Sequence, residues 1–66
     1  MFNEYDLVRV VDYHDVRFIG AIGIIVEVTE DIDGIRCYRL LYAGEYHNNL
    51  TRSITPYLTD EELEVV

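Results

Sequence analysis

Apolar and polar residues alternate along this chain in short bursts bounded by turn-forming residues, and a period of two is the mark of half-buried β-strands. Residues 5–12 (Tyr-Asp-Leu-Val-Arg-Val-Val-Asp) are rich in β-branched types and predict a first strand. Residues 13–19 mix His14, Asp15 and Arg17 with Val16 and Phe18 and read as a long, partly extended loop. Residues 21–29 place Ile22, Ile24, Val26 and Val28 on one side and Ile25 and Glu27 on the other, as in a bent or central strand. Gly20 and Gly23 stand where a barrel needs a bend or a close backbone approach. The Asp33-Gly34 pair signals a hairpin, because both residues tolerate positive φ. A third strand follows over residues 35–42, with Ile35, Cys37, Arg39 and Leu41 alternating against Arg36, Tyr38, Leu40 and Tyr42. Ala43-Gly44-Glu45 reads as a turn, residues 50–54 as a short fourth strand, and Pro56 as its end. Thr59-Asp60-Glu61-Glu62 matches a capping box opening a single helical turn, with residues 63–66 as a closing strand or tail.

Strands spaced by ~10 residues with turn signals between them are the pattern of a small all-β barrel. The expectation is therefore an all-β fold of the SH3-like barrel type: about five short strands, one helical turn near the C-terminus, and a single domain over residues 1–66. An open four-stranded sheet that dimerises is the competing architecture. A chain of this length buries only roughly 60% of the surface its unfolded form exposes, so its core is small. One cysteine rules out an intramolecular disulfide, which leaves partner binding or self-association as the usual supplement for so small a fold. Cys37 is expected to face the core and to suit a reducing, cytoplasmic compartment. The acidic start Met1-Phe2-Asn3-Glu4 lacks the basic region of a signal peptide, and the longest apolar run, residues 22–26, is too short to span a membrane.

Charge sharpens the functional reading. Thirteen carboxylates oppose five basic residues, all of them arginine, for a net charge of −8. Nucleic-acid binders draw affinity from neutralising phosphates, so this balance argues against nucleic acid and for a protein partner with a basic surface. Catalysis needs a nucleophile or a metal with a base beside it. Cys37, His14 and His47 supply the residue types, but no His-x-x-x-His or Cys-x-x-Cys spacing links them, and the sequence calls for no enzyme, no metal and no cofactor. The six tyrosines are the better lead, since tyrosine combines a large apolar area with a polar tip. Tyr38 and Tyr42 share a strand face, either as a platform or as caps on the core. Tyr13, His14, Tyr46, His47 and Tyr57 fall in loops and are candidate contact residues. The acidic hairpin Glu30, Asp31 and Asp33 and the terminal group Asp60, Glu61, Glu62 and Glu64 form two separate clusters, which either steer a basic partner or are only solvated surface. Arg9, Arg36 and Arg39 are expected to pair with carboxylates across the sheet.

Val8-Arg9-Val10, followed after a loop by Gly20-Ala21-Ile22-Gly23-Ile24-Ile25-Val26-Glu27-Val28, resembles the glycine-containing signature of KOW-type and related SH3-like barrels. The ending Glu61-Glu62-Leu63-Glu64-Val65-Val66 is similar to the turn that feeds the last strand of such domains. The order of elements also resembles the DUF4926 family of small bacterial proteins. The resemblance covers most of the chain and implies a barrel fold. For KOW domains it implies contact with RNA or protein beside the glycine-containing loop. That loop is usually basic, whereas here it offers Asp12, His14 and Asp15 with one Arg17. Tryptophan, frequent in peptide-binding SH3 grooves, is absent. The first functional expectation is a non-catalytic protein-interaction module. It would act as an acidic adaptor or inhibitor, in one form encoded by a phage or mobile element and directed at a host or defence protein. The alternatives are a KOW-like nucleic-acid- or ribosome-associated module and a homo-oligomer that binds a small ligand between protomers.

Overall fold

A computed structural model describes residues 1–46 and 49–66, with the backbone alone considered at residues 44–46 and 49–52. Six strands follow one another: β1 (Leu7–Val10), β2 (Ile22–Glu30), β3 (Arg36–Tyr46), β4 (Asn49–Ile54), β5 (Leu58–Thr59) and β6 (Leu63–Val65). Two single 3-10 turns, Val16–Phe18 and Asp60–Glu62, replace the one helical turn expected. All pairings are antiparallel in one sheet, ordered β4-β3-β2-β1-β6, with β5 on β3. The expected all-β class holds, with six strands in place of about five, and β5 and β6 flank a 3-10 turn while pairing with β3 and β1 at far points of the sheet. Among the described residues no helix is long and apolar enough to cross a membrane.

The first strand is shorter than its sequence suggests. Tyr5 adopts a positive φ of 71°, and its amide donates to the Ile25 carbonyl at 2.8 Å, so the regular strand begins only at Leu7. In β2 the register against β3 shifts between Ile25 and Glu27. This bulge reverses the facing of everything beyond it. Gly23 and Ile25 therefore point inward before it and Val28 after it, while Ile22, Ile24 and Val26 are exposed. The expected single face of Ile22, Ile24, Val26 and Val28 is thus broken in two.

The β2–β3 hairpin uses a wider turn than a two-residue Asp-Gly loop. The Gly34 amide donates to the Asp31 carbonyl at 3.0 Å, the Asp31 amide to the Ile35 carbonyl at 2.9 Å, and Gly34 alone takes positive φ, at 78°. That is a type I turn followed by a glycine bulge. Ala43-Gly44-Glu45 does not turn the chain: β3 runs through it to Tyr46, paired with β4. The glycine there is a strand residue.

The core consists of Val8, Val10, Ile25, Tyr38, Leu40, Leu58 and Leu63, with Phe2, Tyr13, Phe18, Ala21 and Val28 packed around it. On β3 the inward set is therefore Tyr38 and Leu40. Cys37 belongs to the opposite face and is half-buried, which corrects the expectation that it faces the core. Between β4 and β5 the chain leaves the sheet at Thr55-Pro56-Tyr57. Thr55 is fully buried and closes the gap: its amide donates to the Leu40 carbonyl and its Oγ1 accepts the Leu40 amide, both at 2.9 Å.

Candidate functional site

The two carboxylate clusters that are far apart in sequence meet in space. Because Cys37 pairs with Thr59 and Tyr38 with Leu58, β5 and the 3-10 turn after it lie beside the start of β3, just after the β2–β3 hairpin. Glu30, Asp31 and Asp33 from the hairpin and Asp60, Glu61 and Glu62 from the turn thus share one end of the molecule. Cys37 sits between them and feels both sides. Burial first, and then the charges of Asp31 and Glu62, push its thiol above its ordinary pKa. The expectation of two separate acidic clusters is corrected to one acidic end.

Half of these carboxylates do structural work. The Asp31 Oδ1 accepts the amides of Asp33 at 2.8 Å and Ile35 at 2.9 Å, which shapes the hairpin turn. Asp60 Oδ1 accepts the Tyr38 hydroxyl at 2.6 Å. Glu62 Oε1 accepts the Thr59 amide at 2.8 Å and the Thr59 hydroxyl at 3.1 Å, as the capping-box pattern anticipated. Glu30, Asp33 and Glu61 remain exposed. At the centre of the hairpin, between Asp31 and Asp33, Ile32 is fully exposed and Ile35 half so. An apolar side chain held out among carboxylates has no packing role within the fold, and its position inside a run of acidic residues was a signal readable in the sequence.

An open cleft of about 350 Å³ lies on one flank of this end, lined by Thr29, Glu30, Asp31, Cys37 and Tyr57. A smaller one of about 210 Å³, lined by Ile35, Arg36, Thr59, Asp60 and Glu61, lies on the other. Tyr57 is exposed, as a contact residue should be, but its ring is fixed in place. Its hydroxyl donates to Glu27 Oε2 at 2.6 Å, and the Arg39 guanidinium lies 5.2 Å from the ring centroid. The hydrogen bond to Glu27 is the main cause of its raised pKa.

Tyr13 and His14 are placed elsewhere. Tyr13 is half-buried and packs against Phe18 at 5.7 Å edge-to-face, with His14 beside it at 4.2 Å, and Phe18 in turn meets Tyr42 at 6.1 Å. This aromatic group seats the β1–β2 loop on the core, so Tyr13 acts as a packing residue while His14 stays exposed. The Tyr46 side chain and all of His47 lie outside the described residues. Tyr57, Glu30, Asp31 and Asp33 are thus brought together at the acidic end, and Tyr13 and His14 are not.

The arginines divide as expected in part. Arg9 pairs with Glu64 at 2.7 Å across β1 and β6, and Arg39 with Glu27 at 4.0 Å across β2 and β3. Arg36 instead donates to the Tyr38 hydroxyl at 2.9 Å and to the Phe2 carbonyl at 2.7 Å. Arg17 forks onto Asp15, with contacts between 2.6 and 3.2 Å. No family model matches the chain, and no curated protein or solved structure matches it.

Proposed function

We propose that this chain is a non-catalytic protein-interaction module, an acidic adaptor or inhibitor that presents its hairpin end to a basic surface of a partner protein. The observation that carries this reading is the meeting of two carboxylate clusters beside the half-exposed Ile35, with Ile32 fully exposed at the hairpin tip between Asp31 and Asp33. Converging negative charge steers a basic surface into encounter, and an apolar side chain at the centre of such a patch supplies desolvated contact that charge alone does not. Glu30, Asp33 and Glu61 form the charged rim, Ile32 and Ile35 the apolar centre, and Tyr57 the wall of the adjoining cleft.

Two further features favour binding over the alternatives. Cys37 is kept in its thiol form, and a protonated thiol is a poor nucleophile. Arg9, Arg17, Arg36 and Arg39 each already engage a carboxylate or a backbone carbonyl, which favours a protein partner over nucleic acid. A free thiol also suits a cytoplasmic setting.

The test is affinity capture from the native cell with the full chain and with a variant carrying Ile32→Ala, Asp33→Asn and Glu61→Gln. All three side chains are exposed, so the fold should survive, as a thermal melt would verify. The expected result is a captured protein that elutes with rising salt and is lost with the variant. Recovery of the same proteins in equal amount by both baits would refute the reading.

A further inference from the structure

The outer face of the sheet, away from the acidic end, carries an apolar row that the fold leaves uncovered. Leu7 pairs with Ile24, Ile24 with Leu41, and Leu41 with Ile54, so these four residues stand side by side across β1, β2, β3 and β4. Ile22 and Val26 extend the row along β2. Leu7, Ile22, Ile24, Val26 and Ile54 are each between 37% and 51% exposed. Scattered exposed apolar residues need no explanation, but a contiguous set spanning four strands marks an interaction surface.

Charge identifies what fits it. One flank of the row ends in the Arg9–Glu64 pair and the other in the Glu27–Arg39 pair, so both carboxylates among the described outer-face residues are matched by an arginine. In a chain of net charge −8 the described residues of this face are thus close to neutral. It offers no excess charge to select a basic or an acidic partner. A neutral surface, apolar along its middle and bordered by balanced ion pairs, is complementary to itself, as a twofold interface requires. The need is there as well. Among the described residues seven apolar side chains form the buried core, and a fold of this size commonly supplements its core by association.

We propose that the chain forms a twofold homodimer through this outer face, with Ile24 at its centre, leaving the acidic hairpin end of each copy free. The interface is independent of the proposed partner site, and the two respond oppositely to salt. Screening relieves the repulsion between two copies of charge −8 and tightens the dimer, whereas it weakens capture of a basic partner.

Sedimentation equilibrium of the full chain, at concentrations up to roughly 1 mM and at low and high salt, tests this. The expected result is a species of twice the 7.7 kDa chain mass whose dissociation constant falls as salt rises. Ile24→Thr keeps a β-branched residue suited to the strand and should weaken dimerisation at least about tenfold. Ile24→Lys should leave only the monomer, and Ile32→Ala should change nothing. Far-UV circular dichroism checks each variant, and if Ile24→Lys fails to fold, Ile24→Thr decides. The proposal is overturned by a wild-type chain that is monomeric throughout, as a face reserved for another protein would give. It is equally overturned by a dimer that loosens with salt, or by one that folded Ile24→Thr leaves as tight as the wild type.

Discussion

Tyr38 is the residue on which the acidic end is assembled. Its ring is fully buried and meets Phe2 edge-to-face at 5.7 Å. Its hydroxyl donates to Asp60 while accepting the Phe2 amide at 3.1 Å and the Arg36 Nε–H at 2.9 Å. Tyr38→Phe keeps the shape and leaves those partners short of a bond, which is expected to cost about 1–3 kcal/mol in urea denaturation. Burial, reinforced by the bond to Asp60, raises the Tyr38 pKa above 10. The folded state then holds the proton more tightly than the unfolded one. That contribution is whole below the ordinary tyrosine pKa and is lost as pH climbs above it, so Tyr38→Phe should flatten the alkaline limb of the stability profile. Asp15 shifts the other way. Its hydrogen bonds from the Arg17 side chain, and then from the Arg17 amide, lower its pKa from 3.8 to about 2. The stabilising effect is present above 3.8 and fades as pH falls toward 2. Carboxyl ¹³C shifts of Asp15 should report that midpoint, and Arg17→Gln should return it toward 3.8.

At the scale of elements, the strands were legible and their facing was not. β-branched and aromatic residues mark β1, β2 and β3 wherever they pack, because a pleated half-buried surface favours them. Alternation yields two sets per strand without saying which is inside. On β3 each set carries arginine, and only the pairing of Leu40 with Ile25 and of Tyr38 with Leu58, all of them buried, shows that Tyr38 faces inward and Cys37 outward. The bulge in β2 has no glycine or other turn residue to announce it. Gly44 misled in the opposite sense, as a turn signal that the ladder runs through. The two-residue β5 is too short for any period to show, although it brings the acidic clusters together. Gly23 was read correctly as a place of close approach. A Cβ there would stand 2.6 Å from the Leu41 carbonyl oxygen, and backbone cannot move aside as a side chain can. Gly23→Ala should therefore cost about 1–3 kcal/mol, read as a lowered melting temperature.

For the whole molecule, net charge was legible from composition and its distribution was not. The sequence places Glu30, Asp31 and Asp33 nearly thirty positions from Asp60, Glu61 and Glu62, and only the β3–β5 pairing makes one surface of them. The same sheet leaves the Leu7–Ile24–Leu41–Ile54 row outside, on a face whose described carboxylates are each matched by an arginine. The most direct measurement of the functional claim is a ¹⁵N–¹H titration of the full chain with an arginine-rich peptide. The account predicts amide shifts concentrated at residues 30–35 and 59–62 together, diminishing in parallel as salt is added. Shifts at only one of these segments, or spread evenly over the outer face and the β1–β2 loop, would contradict a single acidic binding end.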